Sequence, residues 1–497
     1  MDNAKQLSGT LPILHINIWE SDGVSFNNEL LDRNLSHKEY FHGEYWLDTN
    51  GCSWLEDSGA YSIGSAESPL ELEIKARGNY TRIAFSKKPF KIKLGKKQKM
   101  LGMSKNKHFA LLPHADDDLG YLRDYVGFNL GKRIGLSWTP SQQPVELVVN
   151  GDYRGLYFLT ESIRVDEERI NIQELADNEE NPELISGGYL VELDNYTEDN
   201  QLTFSEKSFV NPDKNALIRV TWTSPEEYSD IQKRFVTDQF LQMNDYIGSN
   251  CDSIWSYLDL DDAVRYYLVQ ELMRNTESYQ GSTFLYRDAG EGQKWHFGPL
   301  WDFGNSFTWG SDGTFLYNNT RFSNCWIPSL RCNDKFNLKV YDTWAWFMTM
   351  KYEGLEEDIV EYIDCIKTAA ENDYQRWKSE TIPDHEKGRD IVDNSDMEAR
   401  RDQMLENLED RIAWLKGQFG DFVSCPNREE PKRDTTPAAS LPDYASSQNP
   451  DGVDLLTEAL QEGREIYYNL QGIPVKAPVK NHIYIRINGK STEKIRY

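Results

Sequence analysis

The apolar residues of this chain change period part-way along, and that change limits the folds open to it. Up to about Leu193 the pattern is largely period two. Residues 11–17 read as an opening strand. Leu70, Leu72 and Ile74 alternate, as do Phe90, Ile92 and Leu94, so each segment offers one apolar face. Val145–Val149 and Tyr153–Leu159 flank Asn150-Gly151, whose residues accept the positive φ angles of a two-residue hairpin turn. One helix interrupts this half, from Asp118 to Ile134, with Leu119, Leu122, Val126, Leu130 and Ile134 at helical spacing and Gly135 as its stop. Gly187-Gly188 precedes a strand at Tyr189–Leu193. Beyond it the period becomes helical, at 225–248, 259–275, 337–352, 354–379 and Asp396–Phe419. Pro426–Gly452, rich in Pro, Ser, Asp and Asn, reads as a linker. Short β segments follow at Glu465–Tyr468, Ile473–Val475, Ile483–Ile487 and Glu493–Tyr497. The order predicts an α+β chain: a β-rich half, a helical half and a small β tail.

Length and charge narrow the partners. With 497 residues there is chain for two to four domains. The net charge of −27 argues against nucleic acid. No apolar run is long enough to span a membrane, and Trp344-Ala345-Trp346-Phe347-Met348 reads as core. The start, Met1-Asp2-Asn3-Ala4, lacks a basic n-region and an apolar h-region, so the expectation is either a protein that is not exported or one whose signal has been removed. Six cysteines in a chain this long make no disulfide framework. Cys325 and Cys332 are near enough to close a small loop, but lack the paired spacing of a zinc site, and no zinc is expected there.

The acidity hides one exception. Between Lys75 and Lys107 stand twelve Lys or Arg and no Asp or Glu. Within this island Arg77-Gly78-Asn79 closes one strand, and Lys87-Lys88-Pro89-Phe90-Lys91-Ile92-Lys93-Leu94 forms the next, with Lys91 and Lys93 on one face. Two readings stand side by side: cations held on a rigid strand for phosphate groups, or a solvated face with edge-protecting lysines.

A second constellation lies in the helical half. Glu277 precedes the strand Thr283–Tyr286. After a Gly-containing turn come Trp295–Phe297 and Trp301-Asp302-Phe303-Gly304. A hairpin would bring Glu277 and Asp302 to one end. One carboxylate would accept a hydroxyl proton while the other holds Mg²⁺ on phosphates. The plainer alternative makes Trp301 and Phe303 core and Asp302 a turn cap.

The order of segments resembles the CotH family, the spore-coat-protein-H-like atypical kinases. The matching pieces are Arg77-Gly78-Asn79, Lys87–Lys93, Leu101-Gly102, Leu122-Arg123-Asp124, Val149–Glu161, Gly187–Asp194 and Phe284–Asp288 with Trp301-Asp302-Phe303. The resemblance implies a two-lobed, kinase-like fold that uses ATP with Mg²⁺ or Mn²⁺ to phosphorylate protein hydroxyls. The corresponding division is a disordered or mature N-terminus at 1–10, a β-rich small lobe at 11–185, a mainly helical large lobe at 186–425, a linker at 426–452 and a C-terminal β module at 453–497. Carried over by motif, Arg77 and Lys91 or Lys93 meet the phosphates. Glu161 lies near adenine or ribose, or is a structural carboxylate paired with an arginine. Asp302 matches the metal-binding aspartate, Ser282 a second metal ligand, and Glu277 the catalytic base. Arg123 or Asp124 pairs with a site lysine, or makes a helix-surface ion pair.

Three positions depart from the family pattern. Glu277 replaces the usual Asp, Ser282 stands where Asn is common, and Gly304 replaces the last Asp of Trp-Asp-Phe-Asp. They motivate an alternative, a catalytically silent binding or structural protein of the cell envelope. Fourteen Trp and 27 Tyr suggest a third, surface carbohydrate binding. The tail, Ile466–Val475 with Ile483–Lys490, resembles the C-terminal sorting module of Bacteroidetes secreted proteins. That resemblance implies a removed signal peptide and an extracellular or envelope location, with possible surface attachment.

Overall fold

The computed structural model describes residues 7–19, 39–52, 55, 59–197, 201–308, 313–318, 326–380, 389–420 and 429–441, together with four tail strands. Residues Met1–Glu180 and Leu184–Ala439 form one compact unit, and Asn181–Glu183 with Ser440–Tyr497 form another. The fold is mixed α+β.

The β-rich half closes into a seven-stranded barrel. Its strands are β1 (Ile13–Ile18), β2 (Phe41–Asp48), β3 (Leu70–Ala76), β4 (Phe90–Gln98), β5 (Asn106–Leu112), β6 (Gln142–Val149) and β7 (Asp152–Glu161). They run in the order β1-β2-β3-β4-β5-β7-β6, and β1 pairs in parallel with β6 to close the ring. Period-two alternation fills the interior with Leu14, Ile16, Tyr45, Leu72, Ile74, Ile92, Phe109, Leu147 and Tyr157. The opposite face of β3 and β4 carries the basic side chains, with Lys75 opposite Lys91 and Glu73 opposite Lys93. Asn150 (φ 50°) and Gly151 (φ 78°) make the expected turn between β6 and β7.

A short helix, α1 (Tyr80–Ala84), follows β3, and α2 (Leu122–Ile134) falls between β5 and β6. α2 begins four residues later than its apolar spacing predicts. Gly120 (φ 70°) and Tyr121 (φ 62°) are left-handed, and the Asp117 carboxylate accepts from Leu119 N and Arg123 N, which holds the approach as a turn. Gly127 and Gly131 let α2 approach the 300–303 segment closely. A Cβ at Gly127 would meet the Phe303 ring at 2.3 Å, and one at Gly131 the Leu300 side chain at 2.4 Å.

The half expected to be mainly helical opens on a second sheet, of β8 (Tyr189–Leu193), β9 (Gln201–Ser205), β10 (Leu217–Ser224), β11 (Thr283–Arg287) and β12 (His296–Phe297), in the order β12-β11-β8-β10-β9. Around it stand α3 (Asp230–Gly248), α4 (Leu260–Leu272), the short α5 (Ile327–Leu330), α6 (Asp334–Met350), α7 (Leu355–Trp377) and α8 (Met397–Phe419). α3 starts at Asp230 rather than 225 because Ser229 and Gln232 form a capping box. The Trp344–Met348 stretch is buried, as core. No described helix is long and apolar enough to cross a membrane.

α7 covers β7, which is buried along its whole length. At the contact, Asp373 accepts from Lys87 Nζ at 2.8 Å, Leu156 N at 3.0 Å and Tyr121 Oη at 3.1 Å, all buried. The barrel is therefore locked to the helical half through a charge rather than through apolar packing alone.

Part of the expected linker is not a free tether. Asp434 pairs with Lys335 at 2.6 Å and its N–H donates to Asp261, Glu430 pairs with Arg265, and Ala439 N donates to Ser256 O at 2.8 Å. Residues 429–439 thus strap across α4 and α6. In the other unit the four tail strands, Ile466–Tyr468 (β13), Pro474–Val475 (β14), Ile483–Ile487 (β15) and Thr492–Arg496 (β16), form an antiparallel sheet in the order β14-β13-β15-β16. Cys332 is a free thiol, and Cys325, its suggested loop partner, lies outside the described residues.

Candidate functional site

Three segments converge beside β8 and β11. The first follows β8 through Asp194 and Asn195. The second runs from Arg274 to Ser282, between α4 and β11. The third is the 298–306 loop after β12. Asn275 stitches the last two together: its Nδ2 donates to Asp302 O at 3.0 Å, and it bridges to Ser306 through the backbone. Four non-glycine residues here, Arg274, Tyr279, Ser282 and Asp302, hold φ between 47° and 68°. Such left-handed backbone is maintained only where surroundings determine it, and it gathers at functional sites.

The two expected carboxylates lie near enough for the Asp302 charge to act on Glu277. Glu277 accepts from Asn195 Nδ2 on Oε1, at 3.2 Å, and from Asn305 Nδ2 on Oε2. Asp302 Oδ1 accepts from Gly304 N at 3.1 Å, and Ser282 Oγ stands 3.5 Å from Oδ2. Burial first, and then the neighbouring Asp302 charge, push the Glu277 carboxyl up to about 7, while the two amides pull it the other way. That places it near the value at which one carboxyl can both take up and release a proton at neutral pH.

The third loop hangs from α2. Phe303 N donates to Asp124 Oδ1 at 2.9 Å, and Arg123 donates to Ser306 O at 2.8 Å. Burial and the Asp302 charge raise the Asp124 carboxyl to about 7. Arg123 pairs with Asp117 and Asp118. Neither residue therefore serves a site lysine. Both act as anchors of the Asp302 loop, a role that their position on a helix facing the barrel does not announce.

The basic island meets this acidic cluster through Arg77. Its guanidinium stacks over Trp301 at 5.3 Å. Burial lowers its pKa from the usual range, and Asp302, Glu192 and Asp124 oppose that shift. Lys91 stands on the same barrel face. Burial, then Lys75, Arg164 and Arg77, bring its ammonium down to about 8. Lys91 thus sits among Lys75, Arg164 and Arg77, and Arg77 in turn feels the Asp302, Glu192 and Asp124 charges. Cations beside hard oxygen donors are what a metal-bound polyphosphate needs.

The family model described as CotH kinase protein matches residues 74–415. The chain belongs to the CotH kinase family. The match covers Arg77, Lys91, Glu161, Glu277, Ser282 and Asp302. Comparison with curated proteins returns no match.

The other CotH-motif residues are held by the protein itself. Lys93 pairs with Glu73 at 2.7 Å. Glu161 accepts from Ser104 N at 2.7 Å, from Ser104 Oγ and from Ser141 N at 2.8 Å, so both its oxygens have protein donors. Arg169 lies beside it, bonded to the same Ser104 hydroxyl at 3.0 Å. Asn195 and Asn305, the two amides on Glu277, carry no sequence signal by themselves. Asn195 does directly follow the quoted Gly187–Asp194 motif, and Asn305 is three residues past Asp302, so proximity to motif ends was the only cue.

Proposed function

We propose that this CotH-family chain transfers the terminal phosphoryl group of ATP to protein hydroxyls, with the barrel serving as small lobe and the second sheet with its helices as large lobe. The observation that carries this reading is that the Asp302 charge acts both on Arg77 and on Glu277, whose carboxyl is raised to about 7. Lys91 and Arg77 bind the phosphates. Glu277 accepts the proton of the attacking Ser or Thr hydroxyl as its oxygen bonds to the γ-phosphorus, and the bond from that phosphorus to the ADP oxygen breaks. Asn195 and Asn305 orient the Glu277 carboxylate. Asp302 and Ser282 offer oxygen donors 3.5 Å apart, a hard donor set that suits Mg²⁺ or Mn²⁺. Such an ion supplies charge neutralisation on the phosphates. On the resemblance of the tail, we place the protein outside the cytoplasm or in the envelope, so that its acceptors are exported proteins.

One observation favours a silent alternative: both Glu277 oxygens already accept side-chain amides. Labelling decides between them. Purified chain with Mn²⁺ and γ-labelled ATP should label itself or a generic acceptor, and Asp302→Asn should abolish the label. Nucleotide binding without any label transfer would establish the silent binding protein instead, and equal labelling by Asp302→Asn would remove Asp302 from the chemistry.

A further inference from the structure

Outside the Glu277–Asp302 cluster, Asp259, Asp262 and His296 bring one ligand atom each within 4.8 Å of one another, the one such trio among the described residues. Their placement is set by backbone. Asp259 N donates to Trp295 O at 2.8 Å and Trp295 N to Tyr257 O at 2.7 Å, a parallel bridge that lays Asp259 beside His296. Asp259 caps α4 by accepting from Asp262 N at 2.9 Å, which fixes the two carboxylates three residues apart on the first turn. The His296 ring stacks on Tyr286 of the adjacent strand, with centroids 5.0 Å apart. Its Nδ1 lies 2.8 Å from Asp262 Oδ2.

A second observation separates this trio from an ordinary acidic cluster. Asp262 is 3% exposed, and its other oxygen, Oδ1, is buried without a hydrogen-bond partner. A carboxylate oxygen left so is costly, and buried polar groups of this kind are normally satisfied. Solvent does not reach it. A bare cation held between this carboxylate, Asp259 and the imidazole would satisfy it.

We propose that Asp259, Asp262 and His296 bind a divalent transition cation of the Zn²⁺ or Mn²⁺ class. An imidazole with two carboxylates suits such ions, whereas Mg²⁺ and Ca²⁺ favour all-oxygen sets. Tyr286 against the ring and the backbone bridge beneath it hold the ligands in place, as supporting groups do in built metal sites. The consequence reaches the other cluster. α4 leads from this trio to Asn275 and Glu277, and β12 leads into the Asp302 loop. A metal here pins together the two elements that carry both carboxylates.

The test uses the full chain, stripped by chelator and titrated with Zn²⁺ alone, without nucleotide. Bound metal is counted by elemental analysis after desalting, and folding is followed by circular dichroism. The wild type and Asp302→Asn should each retain one Zn²⁺ per chain. His296→Gln and Asp262→Asn should each weaken binding by about tenfold or more. Asp262→Asn keeps the side chain's volume and so remains informative if His296→Gln does not fold. Undiminished binding in a folded variant of either kind, loss in Asp302→Asn instead, or no retention by the wild type would each overturn the proposal.

Discussion

Replacing Glu277 by Gln should make the protein more stable at alkaline pH and leave it nearly unchanged in mild acid. The Glu277 carboxyl stands at about 7 against an ordinary 4.5. A pKa raised in the folded state favours the protonated native form, so the stability it contributes is full below about pH 4.5 and is lost as pH rises through 7. A shift of that size corresponds to about 3 kcal/mol between the two limits. Gln removes the charge but keeps one acceptor, so one of the amide hydrogen bonds from Asn195 and Asn305 is given up, at about 1 kcal/mol. The net expectation is a gain of about 2 kcal/mol at pH 8 and about zero at pH 5, where most of the penalty is already absent. Urea unfolding of both chains at the two pH values measures this. A stability difference that is the same at pH 5 and pH 8, or a loss at pH 8, would refute the argument that burial and Asp302 strain this carboxylate. Phosphotransfer by the wild type should fall as pH drops below about 7, and the Gln variant should lose it, so stability and activity would move in opposite directions.

Asp373→Ala removes the carboxylate partner of the buried Lys87 and the acceptor of Leu156 N, and should lower stability by about 3–5 kcal/mol in thermal or urea unfolding. Lys91→Ala should weaken ATP binding by about tenfold, the worth of a charge-assisted hydrogen bond, in isothermal titration. Lys93→Ala should change it far less, because Glu73 already holds Lys93.

The strands and helices with strict periodicity were legible, because burial on one face leaves its mark on sequence. Leu70–Ile74 and Phe90–Leu94 became β3 and β4, and Asn150-Gly151 became the β6–β7 turn. β2, β5, β9 and β10 were not recovered. In β2, residues such as His42 and Glu44 alternate with Gly43, Tyr45 and Leu47, a pattern diluted by glycine. β10 carries Arg219 between apolar neighbours. Closure of the barrel depends on β1 pairing with β6 across more than a hundred residues, and no local pattern encodes such a contact. At the site, sequence order indicated that Glu277 and Asp302 would meet. It did not indicate Asn195, Asn305 or Asp124, whose parts depend on side-chain hydrogen bonds between segments distant in sequence. The basic island divided in a way that composition cannot show. Lys87 went to Asp373, Lys88 to backbone carbonyls, Lys93 to Glu73 and Lys97 to Asp166, while Arg77 reached the Asp302 and Glu192 charges and Lys91 stayed among Lys75, Arg164 and Arg77.

The central claim is that one ligand lies between the Lys91 face and Asp302. Titration of ATP with Mn²⁺ into the wild type, Lys91→Ala, Asp302→Asn and the double variant tests it most directly. If both residues hold the same metal-bound nucleotide, each single variant loses affinity and the double variant loses less than the sum of the two losses. No binding by the wild type at millimolar ATP, or losses that simply add, would contradict it.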